Sequence, residues 1–134
     1  MNNDIRWKQR FQNFEKAFLL LQEIVDSDLD KLSKLEKEGF IQRFEIIIEL
    51  SWKVLKDYLE DKGYDEVNNG KQAIRQALVD EIITDAESWM DALQKRNLTS
   101  HTYDDAILEE TVEYVKQDFY PIVRDLYNKL KKEI

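Results

Sequence analysis

The stretch Lys95–Asp105 (KRNLTSHTYDD) holds the only histidine of the chain, His101. Arg96 stands five positions before it and Tyr103 two positions after. These residue types could act on a phosphodiester. Histidine titrates near neutrality and can take or give a proton. Arginine stays charged and presents a planar fork that suits phosphate oxygens. Together they suffice for metal-independent cleavage of RNA. The imidazole would help move the 2′-OH proton or protonate the leaving oxygen, and the guanidinium would stabilise charge developing on the phosphate. One histidine cannot readily serve as both base and acid, and a symmetric dimer would supply two.

Spacing alone leaves other readings open. In a continuous helix Asn97 and His101 share a face, whereas Arg96 and His101 point roughly 140° apart. The run Thr99–Thr102 (TSHT) is a poor helix interior, so a helix end inside the motif would let the long arginine reach the same pocket. A merely polar helix end accounts for the same residues, and Tyr103 then reads as a partly buried core aromatic. Glu45 and Glu49, one turn apart in an otherwise apolar stretch, read as ordinary members of a helix face.

Other chemistries find less support. The absence of cysteine excludes a disulfide scaffold, a zinc ribbon and a thiol nucleophile. A metal would have to rest on carboxylates, and the adjacent pairs Asp104-Asp105 and Glu109-Glu110 diverge on a helix. The glycines, at 39, 63 and 70, build no phosphate loop. Neither a metal nor a cofactor is expected. The formal net charge is −8, so RNA would need a local basic patch, while a basic protein partner would suit the charge as it stands. No apolar run is long enough to span a bilayer, and the opening MNNDIRWKQR lacks the apolar core of a secretory signal. A soluble cytoplasmic protein with no membrane role is expected.

The elements that must position the motif follow from periodicity. The 134 residues suit one domain over residues 1–134. Few breakers and 36% charged residues favour long helices. Trp7, Phe11, Phe14, Phe18, Leu21 and Val25 form one stripe, predicting a helix from about Asp4 to Val25. A second helix is expected between Gly39 and Gly63, with Leu32 and Leu35 leaving an earlier start open. It is apolar on most faces, which fits a central position or a dimer interface. Tyr64–Gly70 reads as a loop and 71–79 as a short helix. Thr84-Asp85-Ala86-Glu87 has the capping-box pattern, so a helix carrying Trp89, Met90 and Leu93 should start near Asp85 and run into the motif. The last stripe runs from Ile107 to Leu130, with a kink or break expected at Pro121. The sum is an all-α, antiparallel helical bundle of four main helices and one short one.

Two blocks carry a family resemblance. Phe44-Glu45 through Glu49-Leu50-Ser51-Trp52-Lys53, followed by Arg96-Asn97-Leu98-Thr99-Ser100-His101-Thr102-Tyr103, resembles the small partner proteins of minimal nucleotidyltransferases. These nucleotidyltransferase substrate-binding proteins belong to the HEPN superfamily, which includes HepT-like toxins. The likeness spans nearly the whole chain. It implies an up-and-down four-helix bundle that forms a homodimer, with the Arg-x4-His residues of both protomers facing a shared cleft. Active members are metal-independent endoribonucleases, and the implied partner is a small nucleotidyltransferase that transfers AMP to the motif tyrosine. Carried onto this chain, His101 would be the acid/base residue, Arg96 the phosphate-binding residue, Asn97 an orienting or RNA-binding residue, and Tyr103 the nucleotide acceptor. The alternative role is a non-catalytic subunit that presents a substrate to the transferase.

Overall fold

The computed structural model describes residues 3–101 and 103–134, with His101 described through its backbone alone. Helix α1 (Asn3–Val25) buries Trp7, Phe11, Phe14, Phe18 and Leu21 of the expected stripe, with Val25 partly buried at its end. A short 3₁₀ turn (Leu29–Lys31), capped by Asp28, leads to α2 (Lys34–Asp61). Helix α2 starts well before Gly39, because Ser33 and Glu36 close a reciprocal capping box. The Glu36 N–H donates to Ser33 Oγ at 3.1 Å, and the Ser33 N–H donates to Glu36 Oε1 at 2.9 Å. That cap offsets the cost of placing Gly39 inside the helix. At its far end α2 stops where Gly63 takes a φ of 102°, and the Tyr64 N–H bonds back to the Leu59 carbonyl.

Helix α3 (Gly70–Val79) is capped by Asn69, which accepts from the Gln72 N–H at 3.0 Å. Its first residue sits in a crowded place. A Cβ on Gly70 would lie 3.2 Å from the Leu93 side chain and 3.4 Å from the Trp52 ring. Glu81, just past α3, holds a φ of 61°, an unusual setting for a residue with a Cβ. Helix α4 (Ala86–Arg96) corrects the capping expectation. Asp85, not Thr84, is the cap, and its carboxylate accepts from both the backbone N–H and the hydroxyl of Ser88. A carboxylate one position later outcompetes the threonine hydroxyl, because it takes two donors at once and its charge suits the helix start.

Helix α5 (Asp105–Tyr114) begins at an Asp104 cap and passes through a π turn (Val115–Phe119) into α6 (Tyr120–Lys131). Where a kink or break is expected at Pro121, the helix is not broken, but its α winding is interrupted by the π turn just before the proline. Proline falls in the first turn of α6, and the wider turn before it makes room for the ring.

Ion pairs and side-chain hydrogen bonds give the directions. Arg6 meets Glu60 and Arg10 meets Asp57, so α1 and α2 run antiparallel. Arg96 meets Glu49 and Thr99 meets Glu45, so α4 runs antiparallel to α2. Lys34 meets Asp105 and Lys37 meets Glu109, so α5 runs with α2. Gln22 meets Tyr120 and Glu15 meets Lys131, so α6 runs against α1. The protein is an all-α up-and-down bundle of α1, α2, α4 and α5–α6, with α3 as the extra short helix. Its core is rich in aromatic rings. Phe119, from the π turn, packs edge-on against Phe44 of α2 at 4.8 Å and Trp89 of α4 at 6.0 Å between ring centres. That contact fixes the α2–α4 pairing on which the motif sits.

Candidate functional site

The site forms where α4 ends against the middle of α2. The last helical residue of α4 is Arg96, and Asn97 closes the helix with its N–H donated to the Gln94 carbonyl at 3.1 Å. The chain then makes a 3₁₀ turn, Thr99–His101. The helix does end inside the motif, so Asn97 and His101 do not stack one turn apart on a single helix.

Two glutamates of α2 hold this end in place. Glu49 Oε1 lies 3.2 Å from Arg96 Nε, and Glu49 Oε2 accepts from the Trp52 indole N–H at 3.2 Å. Arg96 Nε is itself buried, and the N–H is misaligned for a hydrogen bond. The contact is therefore one of charge rather than a directed bond. One turn earlier, the buried Thr99 hydroxyl has one proton for two acceptors, Glu45 Oε2 at 3.0 Å and the Arg96 carbonyl at 2.8 Å. Next to Glu45 in sequence, Phe44 is buried in the core and packed on Phe119. The arginine is thus based on the bundle but not sealed by it, with its side chain 37% exposed.

The two sequence blocks singled out above therefore meet in space. A family model described as "Nucleotidyltransferase substrate binding protein like" matches residues 9–132. The chain belongs to that family. A relative in Haemophilus influenzae, named "Probable ribonuclease HepT", is 39% identical over 70 residues, which is 49% of this chain and 48% of that protein. The chain spans about half the length of this curated relative in the matched region. A solved crystal structure of a protein from Thermus thermophilus superposes with a TM-score of 0.77 at 27% identity, covering 88% of this chain and 98% of that one.

In this family member the expected site residues fall in distinct settings. Arg96 is anchored and half-exposed. Asn97 is exposed at the helix end. His101 closes the 3₁₀ turn, and its side chain lies outside the described residues, as does all of Thr102. Tyr103 is 75% exposed, which removes the reading of it as a core aromatic. Glu45 and Glu49 are more than face residues, since each has a partner in the motif. Only their one-turn spacing in an apolar stretch hinted at this. Trp52 and Thr99, which complete the contacts, had no sequence signal beyond their place in the two blocks. Among the described residues no three His, Cys, Asp or Glu side chains gather as a metal site. No helix among them is long and apolar enough to cross a membrane.

Proposed function

We propose that this chain is a metal-independent HEPN-type endoribonuclease, which a small nucleotidyltransferase partner switches off by modifying Tyr103. The observation that carries the reading is the pairing of an anchored, half-exposed Arg96 with the His101 turn directly behind it. The family match and the ribonuclease name of the Haemophilus relative support it.

In this reaction the 2′-oxygen forms a bond to phosphorus and the P–O5′ bond breaks. The 2′-OH proton passes to His101 of one protomer, and the leaving 5′-oxygen takes a proton from the histidine of the other. Arg96 neutralises charge on the non-bridging oxygens. A homodimer is therefore part of the proposal. Asn97 binds or orients the RNA backbone beside Arg96. For the switch, the Tyr103 hydroxyl attacks the α-phosphorus of ATP, pyrophosphate leaves, and the tyrosine proton goes to solvent. Exposure of Tyr103 suits its entry into the active site of a second protein. The attached nucleotide brings negative charge and bulk into reach of Arg96 and the RNA path.

The test is cleavage of RNA by the purified, unmodified protein in excess EDTA. Cleavage should persist, and should vanish in folded Arg96→Ala and His101→Ala variants. Incubation with the partner and ATP should add AMP to Tyr103 by intact mass and stop cleavage. A folded, unmodified dimer that cuts no RNA refutes the nuclease. The family description favours a second reading, a non-catalytic subunit that presents a substrate. In that case its own mass stays unchanged and a third molecule is nucleotidylated.

A further inference from the structure

The chain is acidic overall, yet one groove beside the motif carries two cations. It lies between α3 and α4, with a volume of about 610 Å³, and is lined by Lys71, Arg75, Met90, Leu93, Gln94 and Asn97. Lys71 and Arg75 stand one turn apart on α3, so their Cα atoms are separated by about 6 Å along the axis. Both are exposed, and among the described residues neither forms an ion pair within 4 Å. Most arginines and lysines near the motif are engaged elsewhere: Arg96 by Glu49, Lys95 over the Tyr114 ring, Lys53 over the Trp52 ring. Met90 and Leu93 give the groove an apolar floor, half-buried and open to solvent.

One end of the groove reaches the motif at Asn97, the neighbour of Arg96. The close approach of Gly70 to Leu93 and Trp52 holds α3 there, and Trp52 is bonded to the glutamate that anchors Arg96. On the other side of Met90 and Gln94 lies a second depression lined by Glu87, Asp91 and Asp118, which would repel phosphates. Arg75 also borders a hollow with Asp65 and Glu66, so the positive strip is narrow and bounded by carboxylates on two sides.

We propose that this groove is the track for single-stranded RNA leading to the cleavage point, with Lys71 and Arg75 contacting successive phosphates and Met90 and Leu93 supporting bases or riboses. The assignment rests on the ribonuclease reading above. Two adjacent cations along a groove supply the charged, backbone-tracking part of how single strands are held without sequence preference, the apolar floor here being aliphatic rather than aromatic, and the flanking carboxylates confine the strand to one path.

The experiment measures anisotropy of a short fluorescent oligouridylate on the full-length His101→Ala protein across a salt series. Each phosphate contact on a single strand contributes about 0.7 to the log–log salt slope, so Lys71→Ala/Arg75→Ala should lower the slope by about 1.4. Between about 50 and 200 mM salt the parent should lose about sevenfold more affinity than the double variant. A Lys71→Glu/Arg75→Glu variant should bind more weakly still, and helicity and melting temperature should match the parent. Unchanged affinity and slope in both variants overturn the groove, as does a parent that binds no single-stranded RNA. Cleavage is read separately with His101 intact. If that protein cuts RNA while the slope is insensitive to Lys71 and Arg75, the groove falls and the nuclease stands. If RNA is bound with the expected slope change but never cut, the groove stands and the nuclease falls.

Discussion

Glu49→Gln isolates the tether on Arg96. Glutamine keeps the shape and can still accept the Trp52 indole proton through its carbonyl oxygen, so only the charge is lost. At the 3.2 Å separation of the pair, Coulomb attraction is about 1.3 kcal/mol in bulk water and larger at lower dielectric. Both side chains are more than one-third exposed, however, and such pairs typically contribute about 1 kcal/mol or less. The expected loss of stability is therefore about 0.5–1 kcal/mol, a fall in Tm of roughly 2–5 °C. A double-mutant cycle with Arg96→Ala, by urea unfolding, should return a coupling of the same size. If the tether positions Arg96 for phosphate, the kcat of RNA cleavage should fall by no more than about fivefold, the rate equivalent of about 1 kcal/mol. Two results would refute this reasoning. Zero coupling would mean that Glu49 does not hold Arg96. A loss of more than about 3 kcal/mol in activity would mean that Glu49 acts directly on the substrate.

The remaining outcomes test the scaffold. Gly39→Ala should stabilise by about 0.5–1 kcal/mol in chemical denaturation, since a Cβ there meets nothing within 4 Å and the position is helical. Glu81→Gly should stabilise by a similar amount of about 0.5–1 kcal/mol, because glycine adopts the φ of 61° without the Cβ penalty. Glu15 is held below the usual carboxylate range by hydrogen bonds from Tyr127 and then Lys131. Its contribution is present above the ordinary carboxylate pKa and lost as pH falls through the lowered value. Tyr127 is pushed up to about 12 by its bond to Glu15, so its contribution is lost as pH rises from about 10 through about 12. Tyr127→Phe should flatten both limbs of a stability–pH curve followed by thermal melting.

Periodicity made the main helices legible because each buries a stripe that repeats every three or four residues, from Trp7 to Leu21 and from Leu108 to Leu130. Caps were harder. At residues 84–87 two neighbours could both cap, and only the second donor from Ser88 settles the choice in favour of Asp85. At residues 33–36 the box was present but overshadowed by the glycine that follows. The polar arrangement of the site was legible only in outline. Arg96 stood out by type, while its partner Glu49 lies two loops and the whole of α3 away in sequence. No local pattern encodes that pairing. Exposure of Tyr103 likewise depends on where α4 stops, and that depends on packing against α2.

The π turn at Val115–Phe119 can be understood as a matter of phase. An α-helix advances about 100° per residue, and a π turn absorbs one residue without that advance. The chain is, in this sense, one residue longer than a regular helix would need between its two contacts. Wound regularly, α6 would be rotated by about 100° relative to α5, and Val123, Leu126 and Leu130 would swing away from α1. The surplus residue is what lets one continuous helix face α2 at its start and α1 at its end. Deleting an exposed member of the turn, such as Gln117, would convert it to ordinary winding while leaving both faces in register. Adding a residue elsewhere in α5 would put them out of step.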